Sequence, residues 1–166
     1  MTASDLQWAT ASEDVQALVA FFLRNVDLAY ISHGEVQSGR AESVDRWSPK
    51  LAEILARELG EGLEPFAAGA RVAVGRDSNG LCAIALLTFA QEAGEPFAVL
   101  QDLVVRRDAR GHGTGARVVE WIEAEARRLG ARALFLESGA QNERAHDFFE
   151  RRSYRTVSVV MCKSLV

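Results

Sequence analysis

The chain has 166 residues, 48% of them hydrophobic and 25% charged, with a net charge of −4. That length buries a core without disulfides or metals to staple it. No run of about 18 apolar residues is present to cross a membrane. The acidic balance argues against a dedicated nucleic-acid binder. Charge is uneven: residues 1–96 carry 14 acids and 7 bases, a net of −7, and residues 97–166 carry 9 acids and 12 bases, a net of +3. An acidic half beside a basic half suits an anionic cofactor and a cationic substrate, or simply two solvated surfaces. Met1–Thr10 lacks the basic and apolar regions of a signal peptide, and Cys82 and Cys162 stand apart in apolar runs. Free, buried thiols in a reducing cytoplasm are therefore expected.

In chain order, Leu6–Thr10 reads as a first strand. Ser12, with Glu13 and Asp14 in the first turn, opens a helix whose apolar face is Val15, Leu18, Val19, Phe22 and Val26. The stretch 31–46 is polar and glycine-bearing. Ser48-Pro49 opens a second helix with Leu51, Ile54, Leu55 and Leu59 inward, and 60–69 reads as a loop. Strands Arg71–Gly75 and Leu81–Phe89 flank Asp77-Ser78-Asn79-Gly80, whose Asn-Gly pair is a hairpin signal. A third strand, Phe97–Val105, precedes a glycine loop. Then follow a helix over 116–129, a strand over 131–137, a helix over 143–152 and a last strand, Tyr154–Ser164. The order βααβββαβαβ, without repeats or linkers, predicts one α/β domain over 1–166 with a mixed sheet.

Arg110-Gly111-His112-Gly113-Thr114-Gly115 is the most informative stretch. Alternating glycines remove Cβ atoms, so successive backbone N–H groups can converge on a bulky anion. The helix that follows adds its dipole and its unpaired first-turn N–H groups. Arg106, Arg107, Arg110 and Arg117 add fixed charge. Three phosphate-binding readings compete. A nucleotide P-loop needs a terminal Gly-Lys-Ser/Thr, which is missing. Gly111-x-Gly113-x-x-Ala116 with Glu137 fits a permissive dinucleotide fingerprint. Against it, five residues intervene between strand and first glycine, and too little chain follows Glu137 for that fold.

The third reading covers more. Asp102 through Gly115, an apolar strand, a polar turn and Arg110-x-x-Gly113-x-Gly115 opening a helix, resembles the acetyl-CoA-binding motif of the GNAT superfamily of N-acetyltransferases. A second family feature is Asn142-x-x-Ala145-x-x-Phe148-Phe149, followed by Tyr154. The resemblance implies a GNAT-like mixed sheet whose central strands, 97–105 and 131–137, splay to admit acetyl-CoA as cosubstrate. It places the pyrophosphate on residues 110–115, Arg110, Gly111, His112, Gly113, Thr114 and Gly115. The thioester then lies near backbone N–H groups of Leu103, Val104 and Val105, and the coenzyme meets Asn142, Ala145 and Phe149. Such N–H groups can polarise a carbonyl without a dedicated side chain, so no metal or nucleophilic residue is required.

An amine attacks only when deprotonated. Asp102, a carboxylate in an apolar strand, is the first candidate base, and Glu137, ending the adjacent strand, the second; each also fits an ordinary structural or surface acid. Position 149 in many relatives is a tyrosine able to protonate the leaving thiolate, whereas Phe149 is not. Another donor (Tyr30, Ser138 or water), unassisted departure of the thiolate, or loss of activity remain open. Ser153 likewise stands where glycine is common. By family architecture the segment between the first helices walls the acceptor pocket, making His33, Glu35, Glu42 and Trp47 candidate acceptor contacts, or simply a polar loop. The expectation is a cytoplasmic, acetyl-CoA-dependent N-acetyltransferase acting on a small cationic amine. A protein N-terminal or lysine acetyltransferase and an acyl-CoA-binding module without catalysis are the alternatives, and a homodimer is compatible with the resemblance.

Overall fold

A computed structural model describes residues 5–64, 69–90 and 94–165. The chain forms two compact units, one from residues 5–26 with Pro49–Glu137, the other from Asp27–Ser48 with the residues from Ser138 onward. In the first, β1 (Asp5–Trp8) leads to α1 (Val15–Asn25). Asp14 caps α1, its Oδ1 accepting from Gln16 N at 2.9 Å, so the helix starts later than Ser12 suggests. Leu18, Val19, Phe21 and Phe22 are its buried face. A short helix α2 (His33–Gln37) and a hairpin of β2 (Ala41–Ser43) and β3 (Arg46–Trp47) occupy the stretch expected to be loop. These belong to the second unit.

Back in the first unit, α3 (Leu51–Leu63) begins after Lys50 rather than at Pro49. It runs through Gly60 and Gly62, which the sequence reading assigned to a loop; residues 65–68 of that loop lie outside the described residues. Long strands β4 (Ala70–Asp77), β5 (Gly80–Ala90) and β6 (Phe97–Val105) follow. A single 3-10 turn, Arg107–Ala109, leads to α4 (Thr114–Arg128) and β7 (Ala133–Leu136).

Among the described residues these strands form a five-stranded sheet in the order β1-β4-β5-β6-β7, antiparallel except for the parallel β6–β7 pair. The fold is thus mixed α/β, as expected. Opposed residues share a face, so the register sorts the core. Val72, Val74, Ile84, Leu86 and Val104 lie on one face and small Ala73, Gly75, Ala83 and Ala85 on the other. α3 packs on the first, where a Cβ on Gly62 would stand 2.7 Å from Val72. α4 covers the second through Trp121, whose ring lies 5.0 Å from Trp8.

The second unit adds α5 (Glu143–Glu150). The expected last strand, Tyr154–Ser164, is not formed. A β-strand exists only as part of a ladder, and this segment pairs with none among the described residues; Val157, Val159, Val160 and Met161 are exposed. Cys162 is accordingly exposed rather than buried, while Cys82 is buried as expected. No described helix is long and apolar enough to cross a membrane.

Candidate active site

β6 runs nine residues, but its parallel ladder with β7 lasts only from Phe97↔Ala133 to Leu100↔Leu136. β7 ends at Leu136, the partner of Leu100, so from Gln101 onward β6 runs without a β7 neighbour, which leaves a fork in the sheet. The fork coincides with a β-bulge. Against β5, Leu87 pairs with Leu100 and Leu86 with Asp102, which leaves Gln101 as the extra residue. A bulge bends its strand, and this one bends β6 at the point where β7 ends. Residues 101–105 of β6 therefore have a hydrogen-bonding edge that β7 does not occupy. N–H groups alternate between the two edges of a strand, and Arg106 N donates to Cys82 O of β5. Of the expected donors, Leu103 and Val105 therefore direct their N–H groups to the edge that β7 leaves open, whereas Val104 directs its own towards β5.

Asp102 is the first residue beyond the bulge. It is 2% exposed and shares its face with Leu86 and Val104. Glu137 is exposed and immediately follows the last paired residue of β7. The two candidate bases therefore flank the fork, one buried and one in water.

The glycine loop follows β6 directly. Gly111 and Gly113 have φ of +77° and +81°, which favours glycine at both. A Cβ on Gly111 would meet nothing within 4 Å, and one on Gly113 would meet only Arg117 Nη1, at 4.0 Å. Open space thus lies where a ligand would approach. Gly113 sits at the cap position of α4, and no side chain caps that helix. First-turn N–H groups lack intrahelical acceptors by construction, and the helix dipole makes this end positive. Thr114 is buried and His112 exposed, with Gly115 half-buried. The set fits a pyrophosphate.

Three of the four arginines expected around this loop point elsewhere. Arg106 bonds Asp108 at 2.5 Å, Asp77 at 2.9 Å and the Leu81 carbonyl at 3.0 Å. Its hydrogen bond holds the Asp77 carboxyl below the ordinary carboxylate range. Arg107 and Arg110 donate to carbonyls at the end of α1. Arg117 remains beside the glycines, donating to Thr114 Oγ1 at 3.4 Å.

With this geometry, similarity to known proteins is specific. The sequence pattern of the Acetyltransferase (GNAT) family matches residues 40–154. The chain belongs to the GNAT acetyltransferase family. Aminoalkylphosphonate N-acetyltransferase of Salmonella typhimurium is 33% identical over 66 residues, 40% of this chain and 43% of that relative. The chain thus matches less than half the length of that curated relative. The BH1408 protein of Bacillus halodurans has the same fold, with a TM-score of 0.74 at 17% identity over 98% of this chain and 99% of its own. So does ribosomal-protein-alanine N-acetyltransferase of Brucella melitensis biovar Abortus, with a TM-score of 0.67 at 13% identity over 99% and 100%. GNAT enzymes are acyltransferases with acetyl-CoA as cosubstrate.

In this GNAT acetyltransferase the second family feature is a helix with defined ends. Asn142 Oδ1 caps α5, accepting from Ala145 N at 3.3 Å. At the other end Tyr154 N donates to Phe149 O at 3.1 Å and Ser153 N to Glu150 O at 3.0 Å. That is the Schellman pattern, whose usual accompaniment is a hydrophobic contact between the two outer residues. Here it is the Phe149–Tyr154 ring pair, with centroids 5.2 Å apart. Phe149 and Tyr154 thus have a helix-terminating role. Ser138 Oγ is buried without a hydrogen-bond partner among the described residues.

The expected acceptor residues all fall in the second unit, and two are engaged locally. Glu35 completes a capping box on α2, accepting from Ser32 N at 2.7 Å and Ser32 Oγ at 2.6 Å. It also faces Arg40 at 3.8 Å. Glu42 pairs with Arg46 at 2.8 Å on the surface. Trp47 and Tyr30 have ring centroids 6.3 Å apart, and His33 is half-buried in the first turn of α2. The sequence reading missed Asn25, a buried polar residue that touches the glycine loop. Its only signal was its place on the helix, three residues after Phe22 on an apolar face.

Proposed function

We propose that this enzyme transfers an acetyl group from acetyl-CoA to a primary amine by direct attack of the amine within a ternary complex. The observation that carries the reading is the fork left where β7 ends beside β6, at the Gln101 bulge, with buried Asp102 the next residue. Acetyl-CoA supplies an activated acyl group as a thioester. The loop amides and the N-terminus of α4 hold its pyrophosphate, with Arg117 beside them. The β6 edge beyond Leu100 offers N–H groups to the thioester carbonyl as negative charge develops there. Asp102 accepts the proton that the ammonium form of the acceptor must lose, and Glu137 is the second acid at the fork. Holding both reactants together supplies much of the rate.

We assign the acceptor to small amines. The Salmonella relative, by its name, acetylates an aminoalkylphosphonate, and the net −7 over residues 1–96 attracts an ammonium group at long range. The cationic character of the acceptor rests on that field, because Glu35 and Glu42 are already paired. A second reading, acetylation of a protein amine, is favoured by the fold shared with the Brucella enzyme. A binding module without catalysis is favoured by Phe149, which has no proton to give.

The deciding assay is thiol release from acetyl-CoA across a panel of small amines and N-terminal peptides. Turnover with a small amine is expected, and Asp102→Asn should lower it by about 10²–10⁴-fold. Coenzyme affinity should stay within about twofold. An unchanged pH–rate profile in that variant removes Asp102 as the base, and release with peptides alone moves the acceptor to protein amines. No release with either, despite coenzyme binding, supports the binding module.

A further inference from the structure

The structure assigns Asn25 as a positioning residue that fixes the entrance of the glycine loop from the end of α1. Asn25 is the last residue of α1 and 6% exposed. Its amide Nδ2 donates to Phe21 O at 2.7 Å, one turn back in the same helix. That bond orients its Oδ1, which accepts the backbone N–H of Arg107 at 3.0 Å. Two guanidinium groups close the clamp from the loop side. Arg107 Nη2 donates to Val26 O at 3.2 Å, and Arg110 Nη2 to Asn25 O. Arg110 Nε donates in addition to Val105 O at 3.0 Å, so one side chain ties the end of β6 to the end of α1.

Each contact has a physical reason to be strong. The last carbonyls of a helix lack intrahelical donors and carry the negative end of its dipole. Cationic donors there satisfy both at once. The clamp fixes the segment 105–110, and the 3-10 turn within it, where Ala109 N donates to Arg106 O at 2.9 Å, delivers the chain to Gly111 and Gly113. Arg110, whose sequence position suggests a phosphate ligand, is thereby assigned to hold the loop in shape. Coenzyme affinity at the loop then comes from main-chain amides preorganised before the ligand arrives, and preorganisation raises affinity by lowering the ordering cost of binding.

This inference rests on the coenzyme-loop reading, and the experiment separates the two. Binding of coenzyme A and of pantetheine, which lacks the pyrophosphate and nucleotide, is measured by calorimetry. Hydrogen exchange at the Arg107 and Ala109 amides is followed in the ligand-free protein. Asn25→Ala and Arg110→Ala should each weaken coenzyme A by about tenfold, leave pantetheine unchanged and speed exchange at both amides. Asn25→Asp, which keeps an acceptor for the Arg107 N–H but loses the Nδ2 donor to Phe21 O, should recover only part of the affinity. Arg110→Ala alters an exposed side chain and keeps the test available if the buried substitution does not fold. Weaker coenzyme A binding with unchanged exchange would make Arg110 a direct phosphate ligand and overturn the clamp. Equal losses for coenzyme A and pantetheine would overturn it as well, showing a general structural defect. A wild-type protein that binds both ligands equally would overturn the coenzyme-loop reading and the clamp with it.

Discussion

Ser153 has φ of +67°, the only described non-glycine residue in the left-handed region. It occupies the position of the α5 terminating motif where glycine is usual, because the chain must reverse while Ser153 and Tyr154 return hydrogen bonds to Glu150 and Phe149. An L side chain there costs about 1–2 kcal/mol, and glycine gives back about 0.5–1 kcal/mol through greater unfolded-state freedom. Ser153→Gly should therefore raise stability by about 0.5 kcal/mol in urea unfolding. A lower midpoint would show that the serine side chain contributes more than its backbone strain removes. The sequence marked this position only as a departure from a family pattern. Similarly, Asp102 was legible as a carboxylate in an apolar strand. Its place beside a bulge was not, since a bulge is set by pairing between strands and leaves no local signature at Gln101.

Elements were read well where periodicity is strong and poorly where pairing decides. β6 has the expected bounds, and α4 begins two residues early because Gly113 itself is the cap. Residues 31–46 read as loop because α2 and the β2–β3 hairpin are too short for a hydrophobic period. Contacts between elements were out of reach. Glu125 of α4 joins β1 through Trp8 Nε1 at 2.7 Å and also bonds Arg128. The Arg128 hydrogen bonds, assisted by Trp8, hold the Glu125 carboxyl below its ordinary value against the opposing effect of burial. A depressed folded-state value adds stability above the ordinary glutamate pKa of about 4.3, and that stability is lost as pH falls through the folded value. Glu125→Gln should thus cost about 1 kcal/mol near neutrality. The difference in Tm from wild type should shrink as pH drops below about 4. A pH-independent difference would assign the loss to packing against Trp8 rather than to charge.

For the whole molecule, ligand binding is the sensitive readout, because any ligand of the native state raises apparent stability by mass action. Acetyl-CoA at about 100 times its Kd should add about 2.7 kcal/mol. For a chain of this size that is a rise in Tm of about 5–10 °C. Gly113→Val places a β-branched residue at φ +81° and a side chain in the space over the loop. It should abolish the rise and lower the unliganded Tm; a full rise in this variant would remove the glycine loop from the coenzyme site. The sequence by itself determined the α/β class, the glycine loop and the strand and helix that bracket it. These rest on local periodicity and on backbone freedom at single residues. Only the tertiary structure decided where the sheet forks, that Arg107 and Arg110 grip α1, and that 154–164 forms no strand. Each of those depends on partners distant in the chain or on geometry between strands, and the identity of a residue does not say which partner it will meet.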